Sequence, residues 1–150
     1  MAAPAKRFID DYLSYLLARA SHAVYKEFDQ QVRAAGLASL EWRVLATLSD
    51  GDGSSGGMTI GELAQEVLAK QPTLTKLIQR MADAGWVSIG ADPADARRTL
   101  VRANARGKRV VARLIDAARA HETALLAGLS AREVTRLKAV LRGLVRRPAA

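Results

Sequence analysis

The chain has 150 residues, of which 49% are hydrophobic, 25% charged and only 5% aromatic, and it carries a formal net charge of +8. Those proportions describe one folded domain of ordinary size, and Ala, Leu and Val in place of aromatics favour helices packed on helices. Cysteine is absent, which excludes disulfides, thiol-based redox sensing and Cys-ligated zinc.

From Phe8 to about Ala35, apolar residues recur at helical spacing: Ile9, Tyr12, Leu13, Leu16, Leu17, Ala20, Val24, Phe28 and Val32. The pattern predicts one long helix stopped by Gly36 and, at about 1.5 Å per residue, roughly 40 Å long. A small domain covers such a helix poorly, which points to a partner subunit. In "SLEWRVLATLSD" Ser39 reads as an N-cap, with Leu40, Val44, Leu45 and Leu48 as the core face. "GDGSSGG" reads as a flexible loop. "TIGELAQEVLAK" opens with Thr59 and Glu62 in capping-box spacing and predicts a short helix over 59–69. "QPTLTKLIQRMADAG" predicts another over about 71–84, with Pro72 in its first turn and Gly85 as its stop.

"WVSIGA" and "RTLVRA" then read as two short strands joined by a turn that holds "DPADA". Asn104 caps a further long helix over roughly 105–127. "SARE", Ser130 to Glu133, is a second capping box and starts a last helix with Leu137, Val140, Leu141, Leu144 and Val145 on one face. The order is four helices, a hairpin and two helices. In its middle, two helices with almost no linker have helix-turn-helix spacing, and the hairpin directly after them is a wing. The wing tip is "DPADARRTLVR".

Three stretches carry a resemblance: "GLASLEWRVLATL", "TIGELAQEVLAKQPTLTKLIQRMADAGWV" and "DPADARRTLVRANARGKRV". In this order and spacing, the sequence resembles the multiple-antibiotic-resistance regulator (MarR) family of winged-helix transcription factors over about residues 8–145. The resemblance implies a mainly α fold: a winged helix-turn-helix with a two-stranded β wing, and a helical dimerisation region built from the N- and C-terminal helices. It implies one chain domain over 1–150, with dimerisation helices at 8–36 and 105–146 and the DNA-binding region at 39–104. Two such chains would read a pseudo-palindromic operator in double-stranded DNA as a homodimer. Many members are repressors released by a small, often aromatic or anionic, effector. The chain departs from the family where the wing usually carries Asp-Arg-Arg and here has Asp95-Ala96-Arg97, followed by Arg98. It departs again where the strand usually ends in Leu-Thr and here has Ala103-Asn104.

The second helix of the motif enters the major groove in this reading. Its first turns display Gln71, Thr73, Thr75 and Lys76. Gln suits adenine, Thr offers a hydroxyl and a methyl, and Lys reaches guanine or phosphate. Pro72 sets the helix start, and Arg80, a turn further on, is placed for a phosphate. Arg97 and Arg98 are candidates for the minor groove, whose negative potential attracts guanidinium groups. Asp95 orders the wing by pairing with Arg97. Thr59 is open to two roles, capping and phosphate contact. For the effector, the resemblance points between the dimerisation region and the winged helix, where Tyr15, Arg19, His22, Trp42 and Arg43 are the candidates. Arg19 and His22 share a helix face, while Trp42 and Arg43 offer a stacking plane and a carboxylate anchor.

No nucleophile motif, phosphate loop or paired-carboxylate site appears, so an enzyme is not expected, nor is a bound cofactor. Two alternatives stand beside the DNA reading: a metal-responsive regulator using His22, His121 and Glu122, and a winged-helix module for protein interaction. The +8 charge opposes the latter, since it favours polyanions by counterion release and steering. No apolar run reaches the roughly 20 residues that span a bilayer. "MAAPAKRF" lacks the apolar core of a signal peptide. No membrane partner is expected, and the cytoplasm is the expected location.

Overall fold

The computed structural model describes residues 7–50 and 56–148. A short 3-10 turn, Phe8–Asp11, is followed by α1 (Leu13–Ala34), α2 (Ser39–Asp50), α3 (Ile60–Glu66), α4 (Gln71–Asp83), β1 (Val87–Ala91), β2 (Thr99–Ala103), α5 (Ala105–Leu125) and α6 (Ala131–Val145). The fold is mainly helical, with a winged helix-turn-helix at its centre. The chain divides into two compact units, Met1–Ile115 and Asp116–Ala150.

Helix ends follow local chemistry closely. α1, α3 and α4 all close with the same pair of backbone bonds, 6→1 and 5→2 across the last turn. In α1 these are Leu37 N–H to Val32 O and Gly36 N–H to Arg33 O. In α4 they are Trp86 N–H to Met81 O and Gly85 N–H to Ala82 O. The residue that turns the chain must take a left-handed conformation, and Gly36 (φ 84°) and Gly85 (φ 81°) do so without a side chain to clash. α3 ends likewise through Ala69 N–H to Ala64 O and Leu68 N–H to Gln65 O. There the left-handed residue is Leu68, at φ 57° and 85% exposed. That turn stops α3 at Glu66, short of the expected 69, and makes the tight corner of the helix-turn-helix.

Two starts differ from expectation. The first helix does not begin at Phe8: Tyr12 is extended (ψ 120°) and separates the 3-10 turn from α1. Arg7 draws that turn tight by donating to both carboxylate oxygens of Asp10 (3.0 and 2.7 Å), and Phe8 stacks on Tyr12. Ser39 is the first helical residue of α2 rather than its cap. Helical bonding already begins at Ala38, whose C=O accepts from Trp42 N–H, and whose own N–H donates to Glu41 Oε2 at 2.7 Å. The long glutamate side chain outcompetes a serine one place too late. Of the expected loop "GDGSSGG", residues 51–55 lie outside the described residues.

In the first unit the core gathers Phe28 and Val32 of α1, Val44, Leu45 and Leu48 of α2, and Leu63 of α3 with Val67 at its cap. Leu74, Leu77, Ile78 and Met81 of α4, Val87 of β1, Leu100 and Val101 of β2, and Val111 and Leu114 of α5 also belong to it. β1 and β2 pair antiparallel, with Val87 opposite Ala103 and Ala91 opposite Thr99. Met58 bonds to the other side of β2 through Val101, in both directions (3.1 and 2.7 Å). In the second unit, Ser130 and Glu133 form the expected capping box on α6. None of α6 is buried, and Leu137, Val140, Leu141 and Val145 are exposed. Among the described residues no helix is long and apolar enough to cross a membrane.

Candidate nucleic-acid interface

α4 is built with two faces. Leu74, Leu77, Ile78 and Met81 are buried at helical spacing. Gln71, Thr73, Thr75, Lys76 and Arg80, named from the sequence, are all exposed. Pro72 sits in the first turn, where a missing N–H breaks no helical bond. With Thr73, Lys76, Gln79 and Arg80 it lines a shallow concavity of about 540 Å³. The Thr75 hydroxyl donates to Gln71 O (2.9 Å) and Gln79 to Asp83 (3.1 Å). The Lys76 and Arg80 side chains, one turn apart, have no hydrogen bond or ion pair among the described residues. Thr59 caps α3: its hydroxyl accepts from Glu62 N–H, and Glu62 accepts from Thr59 N–H (3.2 and 2.9 Å). This bond to Thr59 N–H is the main reason the Glu62 carboxyl titrates below its usual range.

The C-terminal end of α4 is clasped by the start of α5. Arg106 donates to Ala84 O at 2.6 Å and its guanidinium lies 4.0 Å from the centre of the Trp86 ring. Asn104 donates to Gly85 O through its amide, donates to Trp86 O from its backbone, and caps α5 by accepting from Gly107 N–H. The sequence pointed to Asn104 but not to Arg106, which lies 22 residues from its carbonyl partner.

The wing tip, residues 92–98, is ordered by its own acids. Asp92 Oδ1 accepts from Ala94 N–H (2.9 Å) and Asp95 Oδ1 from Arg97 N–H (3.0 Å). Arg98 closes the turn, accepting from Asp92 N–H and donating to Asp95 O. The two arginines then part ways. The Arg97 side chain is 95% exposed, with Asp95 Oδ1 3.6 Å from its Nε, the pairing expected from the sequence. Arg98 is half-exposed and engaged by Glu62 of α3 at 2.8 Å and by Asp92 at 3.7 Å. Glu62 and Asp92 were not among the expected site residues.

A family model described as the MarR family matches residues 35–98. A solved MarR family transcriptional regulator from Silicibacter pomeroyi DSS-3 is 39% identical; the match covers 93% of this chain and 97% of that one, with a TM-score of 0.80. The HTH-type transcriptional repressor IacR of Pseudomonas putida is 30% identical, over 88% of this chain and 77% of its own length. The chain belongs to the MarR family. BadR, a transcriptional activatory protein of Rhodopseudomonas palustris, is 33% identical over 73% of this chain, which spans 62% of BadR's length. These MarR relatives are transcriptional regulators, not enzymes. The fold alone is shared with NadR in complex with 4-hydroxyphenylacetate (21% identity, TM-score 0.81, 99% of this chain and 100% of that one). It is shared likewise with the S. aureus MepR–DNA complex (22% identity, TM-score 0.76, 89% and 96%).

The MarR resemblance also supplied effector candidates, and the structure spreads them. Arg19 lies over the Tyr15 ring at 5.8 Å on α1. Trp42 rests against Phe28, with ring centres 5.6 Å apart. Arg43 donates to Val67 O at 2.9 Å, tying α2 to the end of α3, and its Nε is enclosed without a partner. His22 lines a shallow concavity of about 280 Å³ with Tyr25, Lys26, Ser39 and the ion-paired Asp29 and Arg33 (2.5 Å). Of the five candidates only His22 lines it. Tyr25 and Lys26 share its helix face at three- and four-residue spacing, a signal the sequence did carry. For the metal alternative, no group of three or more His, Asp or Glu placed to hold an ion occurs among the described residues. Glu122 is paired with Lys138 at 2.7 Å.

Proposed function

We propose that the protein is a cytoplasmic, ligand-responsive transcriptional repressor that binds a pseudo-palindromic operator in double-stranded DNA as a homodimer. One observation carries the DNA reading: α4 presents an exposed face with Gln71, Thr73, Lys76 and Arg80, and the wing beside it presents Arg97 almost wholly to solvent. An amphipathic helix with that polar face suits the major groove, and an extended guanidinium suits the narrow minor groove. Dimerisation through residues 8–36 and 105–146 is supported by the exposed apolar residues of those helices, among them Leu13, Leu16, Leu137 and Leu141. An aromatic carboxylate is the proposed effector class. Support comes from Lys26 and Arg33, the latter paired with Asp29, beside the His22 and Tyr25 rings around the concavity on α1, and from the ligand in the NadR structure.

Mapping genomic fragments protected by the purified protein tests the reading. The expected result is a two-fold-related site, bound far more tightly than random duplex and released by an aromatic acid. Equal binding to all duplexes would remove the operator from the reading.

A further inference from the structure

Arg98 is held by carboxylates from two separate elements. Its Nη2 donates to Glu62 Oε1 at 2.8 Å, and its Nη1 stands 3.7 Å from Asp92 Oδ2. Glu62 belongs to the first turn of α3 and divides its carboxylate, Oε2 capping the helix and Oε1 facing the wing. Asp92 ends the β1 side of the hairpin and is the one buried charged residue among the described residues. A buried carboxylate requires compensation, and Arg98 supplies the facing charge while Ala94 N–H supplies a hydrogen bond. Two five-residue strands make a marginal hairpin by themselves, and Met58 ties β2 only at Val101, so the direction of the tip depends on what holds residues 92–98.

We propose that Glu62, Arg98 and Asp92 form a latch that fixes the wing against α3, and that Arg98 is a positioning residue rather than a DNA contact. The planar guanidinium engages two carboxylates at once, which a lysine ammonium does poorly. The latch leaves Arg97 as the wing's groove residue and presents it on a tip already ordered, so that less freedom is lost on binding. This inference rests on the DNA-binding reading of the wing, but the latch has a signature of its own in the free protein.

The test uses the full chain carrying Glu62→Gln, Arg98→Ala, Arg97→Ala and the doubles with Arg97→Ala. Gln at 62 keeps the capping box, and thermal melting checks the fold. In free protein, Glu62→Gln should speed amide exchange over 92–98 and leave α6 unchanged; unchanged wing exchange overturns the latch. On the protected duplex, Glu62→Gln and Arg98→Ala should each weaken binding about two- to five-fold, the range of an exposed ion pair. For Glu62→Gln this runs against simple electrostatics, since the substitution removes a negative charge. Arg98→Ala should leave the salt slope of binding unchanged, whereas Arg97→Ala should lower it by about 1 for each phosphate no longer neutralised. In the Arg97→Ala background both latch substitutions should become silent, which a general loss of stability would not produce. A lowered slope for Arg98→Ala would make it a phosphate contact and end the proposal. A wild-type protein that prefers no duplex would overturn the DNA-binding reading, and the positioning role with it, whatever the exchange data show.

Discussion

Replacing Gly107 with alanine sets two effects against each other. Alanine in a helix gains up to about 1 kcal/mol over glycine, less in a first turn, which is where Gly107 stands in α5. Against this, a Cβ at 107 would lie 2.4 Å from Trp86 O and 3.0 Å from Leu45 Cδ2. A carbon needs about 3.3 Å from a carbonyl oxygen, so the two must separate by about 0.9 Å. The obstacle is backbone, and it also accepts a hydrogen bond from Asn104 N–H at 3.1 Å. Overpacking costs about 1–3 kcal/mol, and weakening that bond adds about 1 kcal/mol. The clash wins, and the net loss should be about 1–3 kcal/mol. For a chain of this size that lowers the melting temperature by roughly 3–10 °C. Melting followed by circular dichroism and by tryptophan fluorescence, at one fixed protein concentration because a dimer's transition depends on it, measures the shift. A variant that melts at or above wild type would refute the reasoning, because it would mean α5 and the end of α4 part at little cost.

Lys76→Ala should cut discrimination between operator and random duplex by about 1–3 kcal/mol in competition binding. Arg97→Ala should weaken both, with stability within about 0.5 kcal/mol of wild type because its side chain is exposed. Leu68→Gly should stabilise the chain by about 0.5–1 kcal/mol in urea titration: it relieves left-handed strain at an exposed position and leaves the core intact. Glu62 and Glu133 both titrate below the usual carboxylate value, each mainly because a backbone N–H, of Thr59 or Ser130, binds the charged form. Their stabilisation is therefore full above about pH 4.5 and lost as pH falls through their folded values, so Glu133→Gln should melt with a flatter acid dependence than wild type. Leu141→Glu, on the exposed apolar face of α6, should shift the sedimentation coefficient from dimer to monomer at micromolar concentration.

What the sequence made legible was what short-range rules decide. Thr59 with Glu62, and Ser130 with Glu133, are capping boxes because the partners are three residues apart and can meet only one way. The buried face of α4 follows from spacing alone. Apolar periodicity, by contrast, is blind to backbone, so the break at Tyr12 passed unseen among side chains that keep helical register on both sides. Ser39 looked like a cap because serine often is one; Glu41 reaching back to Ala38 decided otherwise. The site divides in the same way. Exposure of Lys76, Arg80 and Arg97 follows from position on a helix or turn. The different fates of Arg97 and Arg98 do not, because Glu62 is 36 residues from Arg98 and meets it only once the wing has folded beside α3. Arg43 is a similar case, its guanidinium bound to a carbonyl 24 residues away.

The bond between Met58 and Val101 has a consequence for how the protein keeps company with copies of itself. β2, with Leu100 and Val101, is the stretch most suited to pairing with a foreign strand. Because β1 bonds it on one side and Met58 on the other, it has no long unpaired edge to offer. The free edge falls to β1, which is five residues long, interrupted by Gly90 and closed by the acids of the turn. A short edge of that kind is a poor template for strand addition. A single extra bridge thus lets the hairpin project into solvent, as a wing must, without becoming a seed for aggregation.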